Sequence, residues 1–317
     1  MESGILIMNI IIMILVTDKV NGAWNYRRFG PDVWSKTYPQ CAGNSQSPIN
    51  IKTACTIQKN FNPFNFTPNY NEEFNFTLSN DGHTMVVTYN GPKLLLNGAD
   101  LNGNYQFVNF HLHWGPNENV RSEHQVNGIK YTGESHFVYE DFETHQIAVL
   151  AFLMKSQPYL INKKYKKLYH DEYLTTNQWY KYFDASQNLV QENDSVTIEL
   201  NLSLLMGNNL VDFWRYNGSL TVPPCTENVI WTVFKQPIYV FDYEFETFRD
   251  DLLFESYRGP QSLHDRQIYR SFQYENLSTI PDQNCCSNIK SKGSFLFKGN
   301  NLIYFHLFYI NFIMFFI

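Results

Sequence analysis

Three histidines set the chemistry that this chain can do. In Asn109-Phe110-His111-Leu112-His113-Trp114 apolar and imidazole side chains alternate. Successive strand residues point to opposite faces, so His111 and His113 would share one face, about 6.6 Å apart along the backbone. His136, in Gly133-Glu134-Ser135-His136-Phe137-Val138, follows in a second strand-like segment, close enough in sequence to be a hairpin neighbour. Three neutral imidazoles around one ion leave a fourth tetrahedral position for water, which separates a catalytic zinc site from a closed structural one. A His-x-His pair on a strand also arises by chance and does not establish a metal alone. The neighbours add to it. Asn109 lies two residues before His111 and Glu134 two before His136, so each shares a strand face with its histidine and could accept a hydrogen bond from it. Taken singly, Glu134 reads equally as a surface charge, and Glu123 in Ser122-Glu123-His124 is as ambiguous.

The elements that must hold these residues are strands. Between Trp24 and Phe272, runs rich in Val, Ile, Tyr, Phe and Thr alternate with clusters of Asn, Asp, Gly and Pro, the pattern of short strands and turns. The clearest candidates are Thr84 to Tyr89, Tyr105 to Trp114, Glu134 to Val138, Gln146 to Met154, Ser195 to Leu200 and Val229 to Phe234. Helical spacing stands out only over Tyr243 to Phe254, where Phe245, Phe248, Leu252 and Leu253 share a face. No internal repeat and no low-complexity linker interrupts the middle, so 317 residues read as a single, mainly β domain with minor helices. The formal charge of -6 excludes a nucleic-acid partner, because no basic stripe exists to displace phosphate counterions. The cluster Lys163, Lys164, Lys166, Lys167 reads as a solvated face.

Both ends differ from the middle. The apolar run Ile5 to Val16, followed by Asn21-Gly22-Ala23, is too short to span a bilayer and resembles a secretory leader over residues 1–23. That route makes Cys41, Cys55, Cys225, Cys285 and Cys286 disulfide candidates, with at least one left over in an odd count. Six Asn-x-Ser/Thr triplets, at Asn65, Asn75, Asn193, Asn201, Asn217 and Asn276, fit the same route, although such triplets also occur by chance. After residue 280 the chain becomes polar and then almost wholly apolar from Leu302 to Ile317. A small-residue site at Ser291 to Gly293, a spacer and an apolar tail resemble a lipid-anchor signal over residues 281–317.

Residues 24–280 resemble the alpha-class carbonic anhydrases. The motifs run in that family's order: Tyr26, Gly30-Pro31, Trp34, Asn44 to Ile51, Gly82-His83, Phe110 to Gly115, Ser122 to His124, Glu134 to Val138, Ser219 to Glu227, Arg258 to Gln261 and Arg266 to Phe272. The resemblance implies a large, twisted, mostly antiparallel sheet of about ten strands. It also implies Zn2+ held by His111, His113 and His136, with Asn109 and Glu134 supporting them, and reversible hydration of carbon dioxide to bicarbonate by hydroxide on zinc. Thr221 matches the threonine that accepts the hydroxide proton and donates to Glu123. Val138, Val149, Leu220, Val222 and Trp231 match the substrate pocket; by periodicity alone they could be ordinary core. His83, which otherwise reads as a turn residue, matches the proton shuttle, and an imidazole with an ordinary pKa of about 6.5 suits a relay near neutrality. Cys41 and Cys225 match positions that secreted members join. The resemblance implies an enzyme, and the leader-like start and anchor-like tail give the expectation that it is secreted or sits on the extracellular face of the cell membrane, any membrane attachment resting on that C-terminal lipid-anchor signal. The competing reading is a catalytically silent extracellular binding module on the same fold. Silent relatives typically lack one or more zinc histidines, whereas all three are present here. Three positions depart from the family: Asn109 replaces Gln, which implies a longer or water-mediated bond to His111; Val222 replaces Thr; Tyr257 replaces Trp or Phe.

Overall fold

A computed structural model of the chain describes residues 24–67, 70–115, 122–157, 177–242 and 255–274. The expected leader, the lysine cluster, the helix expected over Tyr243 to Phe254, Asn276, Cys285, Cys286 and the C-terminal tail lie outside those residues. The strands are β1 (Asn50–Ile51), β2 (Ile57–Gln58), β3 (Phe64–Thr67), β4 (Phe74–Asn80), β5 (Met85–Thr88), β6 (Leu95–Gly98), β7 (Leu101–His113), β8 (Gln125–Val126), β9 (Gly133–Asp141), β10 (Gln146–Gln157), β11 (Ser195–Leu200), β12 (Phe213–Ser219), β13 (Glu227–Phe241) and β14 (Tyr269–Arg270). Twelve of them form one sheet in the order β11-β4-β5-β7-β9-β10-β13-β12-β14-β2, with β6 also pairing β7 and β3 pairing β6. Most pairs are antiparallel, but the central β10 and β13 run parallel over ten registered pairs. Sequence patterning singled out β5, β7, β9, β10, β11 and β13. It passed over β4, whose asparagines read as turn residues, and β12, which is buried on both faces and so does not alternate.

Among the described residues three short α-helices accompany the sheet: α1 (Pro31–Thr37), α2 (Gln178–Ser186) and α3 (Leu202–Met206). Pro31 opens α1, where its fixed φ suits the first turn and its missing N–H costs nothing. The Asn177 side chain accepts the Tyr180 N–H to cap α2, a contact worth about 1 kcal/mol. Helix α2 buries Trp179, Tyr182 and Phe183 against the sheet.

The sheet has two packed faces, and a bulge decides which side chains of β7 reach each one. Tyr105 and Phe107 lie in the larger apolar cluster, and so do Phe110 and Leu112, although a regular strand would send 107 and 110 to opposite faces. The pairing of β7 with β9 shifts between Phe107 and Asn109, so Val108 is the extra residue that reverses the alternation. Asn109, His111 and His113 are thereby turned to the second face. On that face lies a smaller apolar cluster containing Val149, Ala151, Leu153, Trp214, Tyr216, Trp231 and Val233. The two-residue loop that starts β7, Ala99-Asp100, has φ of 45° and 58°, as a tight hairpin turn requires. The Arg215 guanidinium, which donates to the Ala99 carbonyl at 2.9 Å, fixes it.

Candidate metal centre

His111 on β7 stands directly opposite His136 on β9, and His113 directly opposite Glu134. The next strand places Ala151 beside His136 and Leu153 beside Glu134. The three imidazoles therefore converge by register alone. Their ring centroids are 5.0, 5.4 and 4.4 Å apart, and one ligand atom from each lies within 4.8 Å of the others.

Each ring has one nitrogen taken by the protein. His111 Nδ1 donates to Asn109 Oδ1 at 2.9 Å, so the shorter side chain makes a direct bond, not the long or water-mediated one that the Gln-to-Asn departure implied. The two residues share a face of β7 beyond the bulge, which brings the amide to the ring without the extra methylene. His113 Nδ1 donates to the Ser256 carbonyl at 2.7 Å, and its buried Nε2 has no hydrogen-bond partner among the described residues. His136 Nε2 donates to Glu134 Oε1 at 2.8 Å, leaving Nδ1 for the convergence point. Burial holds all three imidazoles neutral: it lowers the pKa of His111 to about 3, with a further push from His136, and lowers His113 and His136 in the same direction. A buried nitrogen lone pair without a partner costs free energy, and three neutral nitrogens at one point suit a cation such as zinc.

Behind the three imidazoles lies a polar layer that sequence reasoning only grazed. Glu134 Oε1 also accepts from His124 Nδ1 at 2.6 Å, and Oε2 from the His124 N–H at 2.7 Å. His124 Nε2 bonds the Tyr216 hydroxyl at 2.7 Å, which bonds Ser47 Oγ at 2.8 Å. Burial pushes the Glu134 carboxyl up, but His124 and His136 outweigh it and leave it well below the usual carboxylate range. Glu123 behaves oppositely: burial and the Glu134 charge raise it well above that range, against the Arg258 N–H and the Thr221 hydroxyl, which favour the ionised form. Glu123 Oε1 accepts that N–H at 2.8 Å and lies 3.5 Å from His113 Nδ1. A dication at the histidines would favour the charged form further.

Arg258 also donates to Gln46 Oε1, the Ser47 carbonyl and the Cys41 carbonyl. Cys41 and Cys225 form a disulfide across 184 residues. In the chain-entropy account, closing so long a loop stabilises the fold by about 5 kcal/mol. The disulfide and Gln46 Nε2, which donates to the Cys225 carbonyl, tie the Thr221 to Glu227 turn to the segment that Arg258 holds. Cys55 is disulfide-bonded too.

Val138, Val149 and Trp231 form one cross-strand row beside the histidine row. Val149 and Trp231 are fully buried, while Val138 and Leu220 pack on them partly exposed and Val222 is half-buried. The Trp231 ring lies 4.8 Å from His136. His83 lies three residues before Val86, which pairs with His111. Its ring stacks on Trp24 at 3.8 Å, and its Nε2 lies 3.0 Å from the Trp24 carbonyl. A separate cavity of about 610 Å³, lined by Phe64, Phe66, Tyr70, Met206 and Leu210 among others, shares no residue with this site.

The chain matches the eukaryotic-type carbonic anhydrase family over residues 29–272. It is 32% identical over 292 residues to human carbonic anhydrase 12, covering 82% of this chain and 76% of that protein. Identity to the putative carbonic anhydrase 3 of Caenorhabditis elegans is 31% over 264 residues, 78% of this chain and 98% of the relative. Mouse carbonic anhydrase 4 is 30% identical over 271 residues, 80% and 82% of the two chains.

Proposed function

Because the chain belongs to the eukaryotic-type carbonic anhydrase family, we propose that it hydrates carbon dioxide reversibly to bicarbonate and a proton, at a zinc ion held by His111, His113 and His136, outside the cytosol. The observation that carries this reading is the convergence of three neutral imidazoles, each with its other nitrogen engaged. Zinc bound there supplies a Lewis acid that makes water a nucleophile at neutral pH. The remaining work falls to the chain. Asn109, the Ser256 carbonyl and Glu134 fix the tautomer and direction of each ring, and the low-pKa Glu134 strengthens His136 as a donor.

Thr221 donates its hydroxyl proton to the Glu123 carboxylate, so its oxygen is left only to accept from the reacting water. That one-way bond aims a lone pair at the substrate carbon. Val138, Val149, Leu220, Val222 and Trp231 hold apolar carbon dioxide and exclude competing water. With Nε2–H on the Trp24 carbonyl, His83 receives the released proton at Nδ1. The Cys41–Cys225 disulfide supports an oxidising compartment.

The test is metal content together with stopped-flow hydration of carbon dioxide by the purified protein, before and after chelation. One zinc per chain and activity that leaves with the metal are expected. Zinc without hydration would mark a silent binding module, and activity without zinc would overturn the metal assignment.

A further inference from the structure

We propose that Asn75 and Asn193 carry N-linked glycans that cover the outer edge of the sheet at β11, and that Asn201, in the same kind of triplet, stays bare. The proposal rests on the secretory reading, since the transferring enzyme acts in that compartment.

The asparagines differ in what their amides are doing. Asn201 is only 6% exposed. Its Nδ2 donates to the Asn71 carbonyl at 2.6 Å, its Oδ1 caps α3 by accepting the Leu204 N–H at 3.2 Å, and its own N–H donates to Gln178 Oε1 at 2.9 Å. A sugar on Nδ2 would take the place of one of its two hydrogens and need space that this buried side chain, packed on Asn71, does not have. A chain modified there before folding could not complete this structure, so the folded population is the one in which Asn201 was skipped. Asn75 and Asn193 are exposed, and neither side chain makes a hydrogen bond among the described residues. Asn193 sits in a turn at φ 73°, with Ser195 exposed two residues on; Thr77 shares the outward face of β4 with Asn75.

Their placement gives the sugars something to do. Among the described residues β11 ends the sheet at one side, and a strand at a sheet edge offers unpaired backbone groups to another chain. Exposed Val196, on that strand, and Val190, close before it, add apolar surface, 38% and 55% accessible. Asn75 pairs with Glu199 near one end of β11, and Asn193 precedes the other end. Two glycans would therefore stand roughly 15 to 20 Å apart along the strand. Asn65 and Asn217, also exposed, lie on β3 and β12, away from this edge. In each transfer the Asn Nδ2 attacks the anomeric carbon of a polyprenyl-diphosphate oligosaccharide. The new C–N bond replaces the C–O bond to the diphosphate, which leaves with the lipid, and one amide proton goes to the transferase base.

The full chain, expressed with its own N-terminus in a eukaryotic secretory host, is deglycosylated by peptide N-glycosidase in ¹⁸O-water and mapped by mass spectrometry. Labelled aspartate is expected at 75 and 193, with unlabelled asparagine at 201. Secreted protein with the Cys41–Cys225 bond but bare at 75 and 193, or with a glycan on 201, overturns the proposal while leaving the compartment intact. Protein retained in the cytosol with Cys41 and Cys225 as free thiols overturns the secretory reading and the proposal with it. Thr77→Val and Ser195→Ala remove the two triplets without disturbing the strand or the Asn193 turn. Each should delete one glycan, and the double variant should aggregate faster on warming, with unchanged hydration per bound zinc. A double variant as monomeric as the parent would remove the edge-covering role.

Discussion

The two faces of the sheet are made from neighbouring residues of the same strands, yet different forces hold them. On one side Phe110 stacks on Phe137 at 4.9 Å and Phe152 on Phe234 at 4.4 Å, in a cluster that α2 covers. On the other, one residue along, His136 and Glu134 share a hydrogen-bonded layer with His124 and Tyr216, and His111 bonds Asn109 beside it. Apolar packing is non-directional and tolerates repacking. The polar face tolerates little, since each buried group costs free energy unless its partner is in place. The first face thus supplies the rigidity on which the second keeps its network, with His113 Nε2, Glu123 Oε2 and Trp214 Nε1 among the buried atoms that have no hydrogen-bond partner among the described residues.

Adjacent residues offer the sharpest way to break this comparison. His136→Ala should abolish zinc retention and reduce hydration to background, with a modest change in melting temperature. Phe137→Ala should cost about 3–5 kcal/mol, read as a large fall in melting temperature, while zinc stoichiometry and activity per folded molecule hold. Calorimetry and metal analysis on both variants decide the matter. Loss of zinc from Phe137→Ala well below its melting point would mean that the faces are not separable.

Acid should distinguish the faces next. Burial depresses His113 well below its ordinary value and His111 to about 3, so the unfolded chain takes up these protons first. After chelation, stability is therefore whole above about pH 6.5, the ordinary imidazole value, and is lost as pH falls toward the folded-state values. The slope is at most about 1.4 kcal/mol per pH unit for each group, and less for His111, whose partly exposed ring is screened by solvent. Urea midpoints between pH 4 and 7 measure it. His113→Asn should flatten the slope, whereas Phe137→Ala should lower the whole curve without changing its shape. Equal slopes in the parent and His113→Asn would remove His113 as a cause.

Glu134→Gln tests the polar layer with a smaller effect. An amide oxygen accepts more weakly than a carboxylate from His124 and His136, so zinc affinity should fall about 10–100-fold. Competition with a chromogenic chelator reads this directly, and an unchanged affinity would show that the carboxylate does not tune the ligand.

How far the sequence reveals this arrangement depends on how local each feature is. Phe110-His111-Leu112-His113 carries its two faces in its own alternation, and Glu134 with His136 does the same, so the convergence of the histidines and their nearest acceptors is legible. The acceptor for His113 is a backbone carbonyl 143 residues away, and a carbonyl leaves no mark in residue type. His124 lies in the motif Ser122 to His124, but its partners Glu134 and Tyr216 are 10 and 92 residues distant and meet it only through strand order. The parallel pairing of β10 with β13 is likewise non-local. Helices α1, α2 and α3 escape the sequence reading because seven, nine and five residues give periodicity too little length. The disulfide and the wall beside His136 came through family resemblance; spacing alone leaves both open.

The smallest expected effect lies at the rim of the polar face, where His83 stacks on Trp24. A relay must take a proton arriving from the site and release it to solvent, so His83→Ala should lower kcat in dilute buffer and leave kcat/KM nearly unchanged, because the chemical step does not wait for the relay. Added imidazole should restore much of the lost rate. Trp24→Ala asks a finer question. It removes the stacked ring but keeps the carbonyl that accepts from Nε2, releasing a contact worth about 0.5–1.5 kcal/mol. If that contact restrains a ring that must turn toward the site, kcat in dilute buffer should rise by less than about tenfold, with zinc affinity and kcat/KM unmoved. A fall in kcat that imidazole rescues would instead mean that the stack holds His83 in its working position, and equal kcat in the parent and both variants would take His83 out of the proton path.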